Sequence, residues 1–186
     1  EEINLSNGVI YVMKKVDVPL DKRLLTKQIE GEKNDRYFNF PRARMFYRDR
    51  KDLSGLFFQD VMVQNPGAAK PIITYSAKDF LSTTYKVYWR AVNDIQANVF
   101  KQNLFIYGSS EVIDDITTPV EKIASFENIN VELNYYEDVY LGEFTLDKAR
   151  DIGYIMLQGD NTTTNNNNSL TLDYLKFVPV LKLNIP

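Results

Sequence analysis

Carboxylates are the first residues to weigh for chemistry. They stand in adjacent pairs at Asp114-Asp115 and Glu137-Asp138, with Glu143 shortly after. Two carboxylates held roughly 5 to 9 Å apart across a cleft can hydrolyse a glycosidic bond. The order of residues fixes no such distance, and adjacent carboxylates in turns are ordinarily solvated. Other chemistries are closed. The chain has no histidine and no cysteine, which removes the common general base, the common zinc ligand, every His-containing triad, thiolate metal sites and disulfides. The expectation is a protein that is not an enzyme.

Binding residues are easier to nominate. Tyr85 to Val92 alternates: Tyr85, Val87, Trp89 and Ala91 share one face of a strand, and Lys86, Tyr88, Arg90 and Val92 the other. Trp89 is the one tryptophan. An exposed indole stacks on sugars, but the apolar partners of Trp89 on its own face predict that it points into the core. Lys86, Tyr88 and Arg90 then form a candidate ligand-binding face, a ring flanked by two cations that suits a sugar or a carboxylate. The plain alternative is a solvated strand face.

Arg36 to Lys51 interleaves Arg36, Arg42, Arg44, Arg48, Arg50 and Lys51 with Tyr37, Phe38, Phe40, Phe46 and Tyr47. Such interleaving can bind single-stranded nucleic acid. The formal net charge of −3 and the lack of any nucleic-acid motif argue against that partner. A half-buried strand with cations on its wet side, or a surface for an anionic glycan, fits better. Asn161 to Ser169 is a polar loop with Asn-x-Ser/Thr sequons at Asn161 and Asn167.

The elements that must position these residues are short. Of 186 residues, 13% are aromatic, including 12 tyrosines, which favours strands. Strand runs appear at Val9–Met13, Tyr37–Tyr47 (broken by Pro41), Leu56–Val63, Ile72–Tyr75, Tyr85–Val92, Leu104–Tyr107, Ile123–Phe126, Asn130–Tyr135, Val139–Leu146, Tyr154–Leu157 and Leu170–Val178. Gly142 is placed as a bulge. Asp21 to Glu30 can form a turn or two of helix, and Ile113 to Pro119 reads as loop. No apolar run approaches a membrane span. The predicted fold is all-β, a two-sheet antiparallel sandwich, with a core of Val87, Trp89, Leu104, Ile106, Leu141, Phe144, Ile155, Leu157, Leu172 and Phe177.

Two segments carry resemblances. Ser6 to Val16, followed by Pro19, resembles the closing strand of fasciclin-like domains, with a pattern near Asn-Gly-Val-Ile-His-Val-Ile-Asp-Lys-Val. Tyr11 stands where that pattern often has His, and Met13-Lys14 where it often has Ile-Asp. Tyr85–Arg90, Val139–Phe144 and above all Leu170-Thr171-Leu172-Asp173-Tyr174-Leu175-Lys176-Phe177-Val178-Pro179-Val180 resemble galactose-binding-like jelly rolls, the superfamily of many carbohydrate-binding modules. The order is similar to an uncharacterised sandwich domain that follows a fasciclin-like domain in secreted Bacteroidetes lipoproteins.

These resemblances imply residues 1–34 as the remnant of a preceding domain plus linker, and 35–186 as a jelly-roll domain. They imply a secreted protein tethered to the cell envelope, at the outer surface or in the periplasm, meeting the membrane only through a lipid anchor outside this stretch. They also imply either no cofactor or a structural calcium ion, with Asp94, Asp114 and Asp115, and further Asn93 and Asp173, as donors. The leading function is then a non-catalytic module for polysaccharide or host glycan. The alternative is a structural or protein-adhesion module whose partner is another cell-surface protein.

Overall fold

The computed structural model describes residues 2–5, 8–11, 24–67, 69–94, 96–113, 116–160 and 169–180. Two short strands, β1 (Glu2–Leu5) and β2 (Gly8–Tyr11), pair antiparallel as a sheet of their own. The next are β3 (Lys27–Glu30), β4 (Arg36–Phe38), β5 (Met45–Lys51), β6 (Phe57–Gln64), β7 (Ile72–Phe80) and β8 (Thr84–Arg90). Then follow β9 (Phe100–Ile113), β10 (Ile116–Val131), β11 (Val139–Thr145), β12 (Arg150–Gly159), β13 (Ser169–Leu172) and β14 (Tyr174–Val180). A single 3₁₀ turn at Arg42–Arg44 follows Pro41.

The strands make a five-stranded sheet in the order β10-β9-β12-β7-β4 and a four-stranded sheet in the order β11-β8-β14-β3. A three-stranded sheet, β13-β6-β5, extends the architecture. The five-stranded sheet owes its inner face to alternation held in register. Ile73, Leu157 and Leu104 lie in one row across three strands, and Tyr75, Ile155 and Ile106 in the next. All six are buried. Such cross-strand rows are the unit of sheet stabilisation, each large side chain contributing about 1.5–3 kcal/mol through burial.

Aromatic rings join the two large sheets. Phe80 of β7 meets Tyr85 of β8 at 5.0 Å, Phe177 of β14 at 5.3 Å and Phe144 of β11 at 6.4 Å between centroids. The three-stranded sheet is tied in by Gln102 of β9, whose amide donates to Thr171 O and accepts from Thr171 N at 3.0 and 3.2 Å. The predicted core residues are buried, with Leu141 partly buried against them.

Several local expectations change. Lys27–Glu30 is not helical. It is an edge strand on β14, so the sandwich takes in residues ahead of position 35. Ile116–Val120 is strand rather than loop, paired with Ser109–Ile113. Pro119 is tolerated there because β10 lies at a sheet edge, where a missing N–H breaks no ladder. The closing strand is interrupted at Asp173 and continues through Pro179 to Val180, beyond the stretch where β3 pairs with it. The strand expected at Val9–Met13 is present through Tyr11, and Val12 and Met13 lie outside the described residues.

Candidate functional site

The outer face of the four-stranded sheet is built by three strands. Tyr85, Val87 and Trp89 are buried, which turns Lys86, Tyr88 and Arg90 outward from β8. In the same way Leu175 and Phe177 face the core, so Tyr174 and Lys176 of β14 share the outer face. Register sets the neighbours: Tyr140 opposes Tyr88, Lys176 flanks Tyr88 on the other side, and Tyr174 opposes Arg90.

The bulge at Gly142 decides which residues of β11 join this face. Leu141 and Phe144 are three positions apart, an odd separation that regular pleating would send to opposite faces. The register shifts between Tyr140 and Gly142, where φ is +146°. One extra residue resets the alternation. Leu141 and Phe144 therefore both pack on the core, and Tyr140 and Glu143 both stay outside. A side chain at position 142 would strike the Phe126 ring, since a Cβ there would lie 2.7 Å from it.

Tyr88 and Tyr140 form a ring pair with centroids 5.3 Å apart and planes inclined by 51°. Tyr140 is 51% exposed. Lys176 Nζ lies 5.6 Å from the Tyr88 ring and 5.9 Å from the Tyr174 ring. Asp138 ties the face together by pairing with Lys176 and accepting from Tyr174 Oη at 2.6 Å. Burial first, then the Asp138 hydrogen bond, pushes the Tyr174 phenol well above its ordinary range. Desolvation, then the charge of Glu143, raises the Tyr140 phenol. Both rings stay neutral donors at physiological pH.

Beside Tyr140 opens a groove of about 690 Å³, lined in part by Asn128, Asn130, Glu132, Tyr135 and Asp138. Tyr135 is 42% exposed. Two exposed rings thus stand among amides and carboxylates that both donate and accept. A second hollow, of about 610 Å³, is lined by Leu24, Leu81, Thr83, Leu146 and Val180 among others. Among the described residues no ring lines it, and the hydroxyls of Ser82 and Thr83 already donate to the carbonyls of Leu146, Asp147 and Val180.

Lys86 and Tyr88 lie on the open face as expected, but Arg90 does not serve it. Its guanidinium donates to Tyr136 O at 2.7 Å and to Asp173 Oδ2 at 2.9 Å, reaches Asp52 at 3.4 Å and covers the Phe58 ring at 4.6 Å. Its side chain is 14% exposed. Arg90 is a clasp joining three distant segments. Arg48 and Arg50 also turn inward, onto Asp60 and Asp94.

The Asp94 carboxylate, a candidate calcium donor, is taken up by the same kind of pairing. It is 4% exposed, ion-paired with Arg50 and Arg48, and accepts from Tyr136 Oη at 3.3 Å. A cation there would face two guanidinium groups. Asp173 is likewise held by Arg90. Asp114, Asp115 and the Asn161 to Asn168 stretch lie outside the described residues. Among the described residues no group of three or more His, Cys, Asp or Glu is gathered to hold a metal ion.

Tyr140, Tyr174 and Lys176 were not nominated from the sequence as ligand contacts, and Asp138 was weighed only as a catalytic carboxylate. The pairing of β8 between β11 and β14 brings Tyr140, Tyr174 and Lys176 to Tyr88.

No protein-family model matches the chain, and no curated protein matches it. Among solved structures it is similar to the C-terminal CBM6 of LamC, a marine laminarinase from Zobellia galactanivorans, at 12% identity and a TM-score of 0.46, over 83% of this chain and 99% of that one. It is similar to the CBM36-1 domain of a multidomain xylanase from the hindgut metagenome of Trinervitermes trinervoides at 12% identity and a TM-score of 0.45, over 84% and 98%. It also matches a GH26-CBM35 β-(1,4)-mannanase from Podospora anserina at 11% identity and a TM-score of 0.47, over 83% of this chain and 28% of that chain. The fold itself is all-β, its five-stranded and four-stranded antiparallel sheets packed through shared aromatic rings.

Proposed function

We propose that this chain is a non-catalytic binding module for polysaccharide. The observation that carries the reading is the pairing of exposed Tyr140 with half-buried Tyr88 beside a groove lined by Tyr135, Asn128, Asn130 and Glu132. Aromatic faces stack on the apolar faces of sugar rings, while amides and carboxylates at the rim pair with hydroxyls. Cations on the face have carboxylates beside them: Lys176 pairs with Asp138, and Lys86 opposes Glu143 in register. Such charge balance suits an uncharged glycan better than an anionic one. The resemblance of residues 6–19 to a fasciclin-like closing strand supports placing the module behind such a domain, in an exported, envelope-tethered protein.

The test is a glycan array followed by titration calorimetry on the best binder. Tyr140→Ala and Tyr88→Ala should each weaken binding roughly tenfold, the equivalent of about 1.4 kcal/mol, with the melting temperature unchanged for Tyr140→Ala. Silence across neutral and anionic glycans, or wild-type affinity in both variants, would sink the reading and leave a structural or protein-adhesion module.

A further inference from the structure

The β5–β6 hairpin carries its most apolar residues outward at the tip. Leu53 is 86% exposed, Phe57 78% and Leu56 69%. The turn that presents them is tightly built. Asp52 N donates to Leu56 O at 2.9 Å and Gly55 N to Asp52 O at 3.0 Å. The Asp52 carboxylate accepts from Ser54 N, Ser54 Oγ and Leu56 N at 2.9, 2.7 and 3.0 Å. Gly55 supplies the positive φ of +85° that closes the turn. Its backbone donors at Asp52, Ser54, Gly55 and Leu56 are therefore satisfied internally, as a segment leaving water requires.

Charge at the tip is one-sided. The Asp52 carboxylate is turned into the turn and toward Arg90. Lys51 lies alongside the apolar residues, its Nζ 4.4 Å from the Phe57 ring. The root is fixed: Arg48 of β5 grips the buried Asp60 of β6, and Arg50 grips Asp94. The result is a rigid crown of two leucines and a phenylalanine with a lysine beside it. That combination suits the boundary between acyl chains and anionic headgroups, where apolar side chains enter and a cation meets phosphate.

We propose that the β5–β6 tip inserts into the interface of an anionic bilayer, giving the module a membrane contact of its own, apart from any lipid anchor. The inference does not depend on the glycan reading. The test is flotation of the full chain with vesicles of phosphatidylcholine, alone and mixed with phosphatidylglycerol. The chain should float with the mixed vesicles and far less with phosphatidylcholine alone. The double variant Leu53→Ser/Phe57→Ser should lose roughly tenfold or more in partitioning at unchanged melting temperature. Lys51→Gln should weaken binding to the mixed vesicles alone. Absence of flotation by the wild-type chain, or undiminished flotation of the double variant, overturns the proposal. So does a concentration-dependent dimer in sedimentation equilibrium that the double variant abolishes while vesicles go unbound, which would assign the tip to a second copy.

Discussion

Tyr88 and Arg90 leave β8 on the same side, two positions apart, and their environments separate their roles. Tyr88 meets one ring and one ammonium on an open face. Arg90 is enclosed by Asp173, Asp52, the Tyr136 carbonyl and Phe58. Removing one partner of a buried pair leaves the other charge uncompensated, which costs about 3–5 kcal/mol. Arg90→Ala should therefore lower the melting temperature sharply, whereas Tyr140→Ala should leave stability within about 0.5 kcal/mol of wild type, as expected of an exposed position. Thermal denaturation of the two variants side by side checks this. Alternation in the sequence was enough to place Trp89 inside and Tyr88 outside. It could not reveal the partners of Arg90, which lie 38, 46 and 83 positions away.

At the scale of the element, irregularities do much of the positioning. The interruption at Asp173 separates β13 from β14 and buries a carboxylate beside the Arg90 guanidinium. Burial outweighs Arg90 and, with Glu30 and Asp60 adding, pushes the Asp173 carboxyl up to about 7. Burial likewise raises Asp60 against the pull of Arg48. A carboxyl whose folded pKa exceeds its unfolded value of about 3.9 binds its proton more tightly in the folded state. Its contribution is fully present below about pH 4 and is lost as pH rises through 7. Melting temperature measured across that window should fall with rising pH, and Asp173→Asn should flatten the fall. A profile unchanged by that substitution would refute the assignment. Asp52, Glu121 and Asp160, each held low chiefly by a hydrogen-bond partner, act oppositely and lose stability as pH drops below the ordinary carboxylate range.

Such irregularities also bound what was legible. Gly142 announced a bulge because glycine in a strand run has few other uses. The strand at Ile116–Val120 was hidden by Pro119, whose harmlessness depends on an edge position that only the assembled sheet defines. The spacing of Leu24, Leu25 and Ile29 fits a helical turn equally well, and the state of Lys27–Glu30 is settled by an open edge on β14.

For the whole molecule, stability rests on contacts between residues far apart in sequence. The Phe80, Tyr85, Phe144 and Phe177 rings come from four strands of two sheets. Folding dominated by such pairings is slow relative to helical domains of the same size. The core is closed by aromatic and aliphatic side chains, and chelation by EDTA should leave the melting temperature unchanged. A clear fall would instead show a structural metal ion.

The burial of Trp89 also makes the molecule its own spectrometer. The single indole is sealed from solvent, one residue along β8 from Tyr88 but on the opposite side of the sheet. Its emission will be blue-shifted in the native protein and will move to the red on unfolding, with no other tryptophan to blur it. A polysaccharide laid across Tyr88 and Tyr140 will perturb tyrosine absorbance while leaving that emission nearly still. Two optical channels therefore separate loss of ligand from loss of fold in one cuvette, without a label.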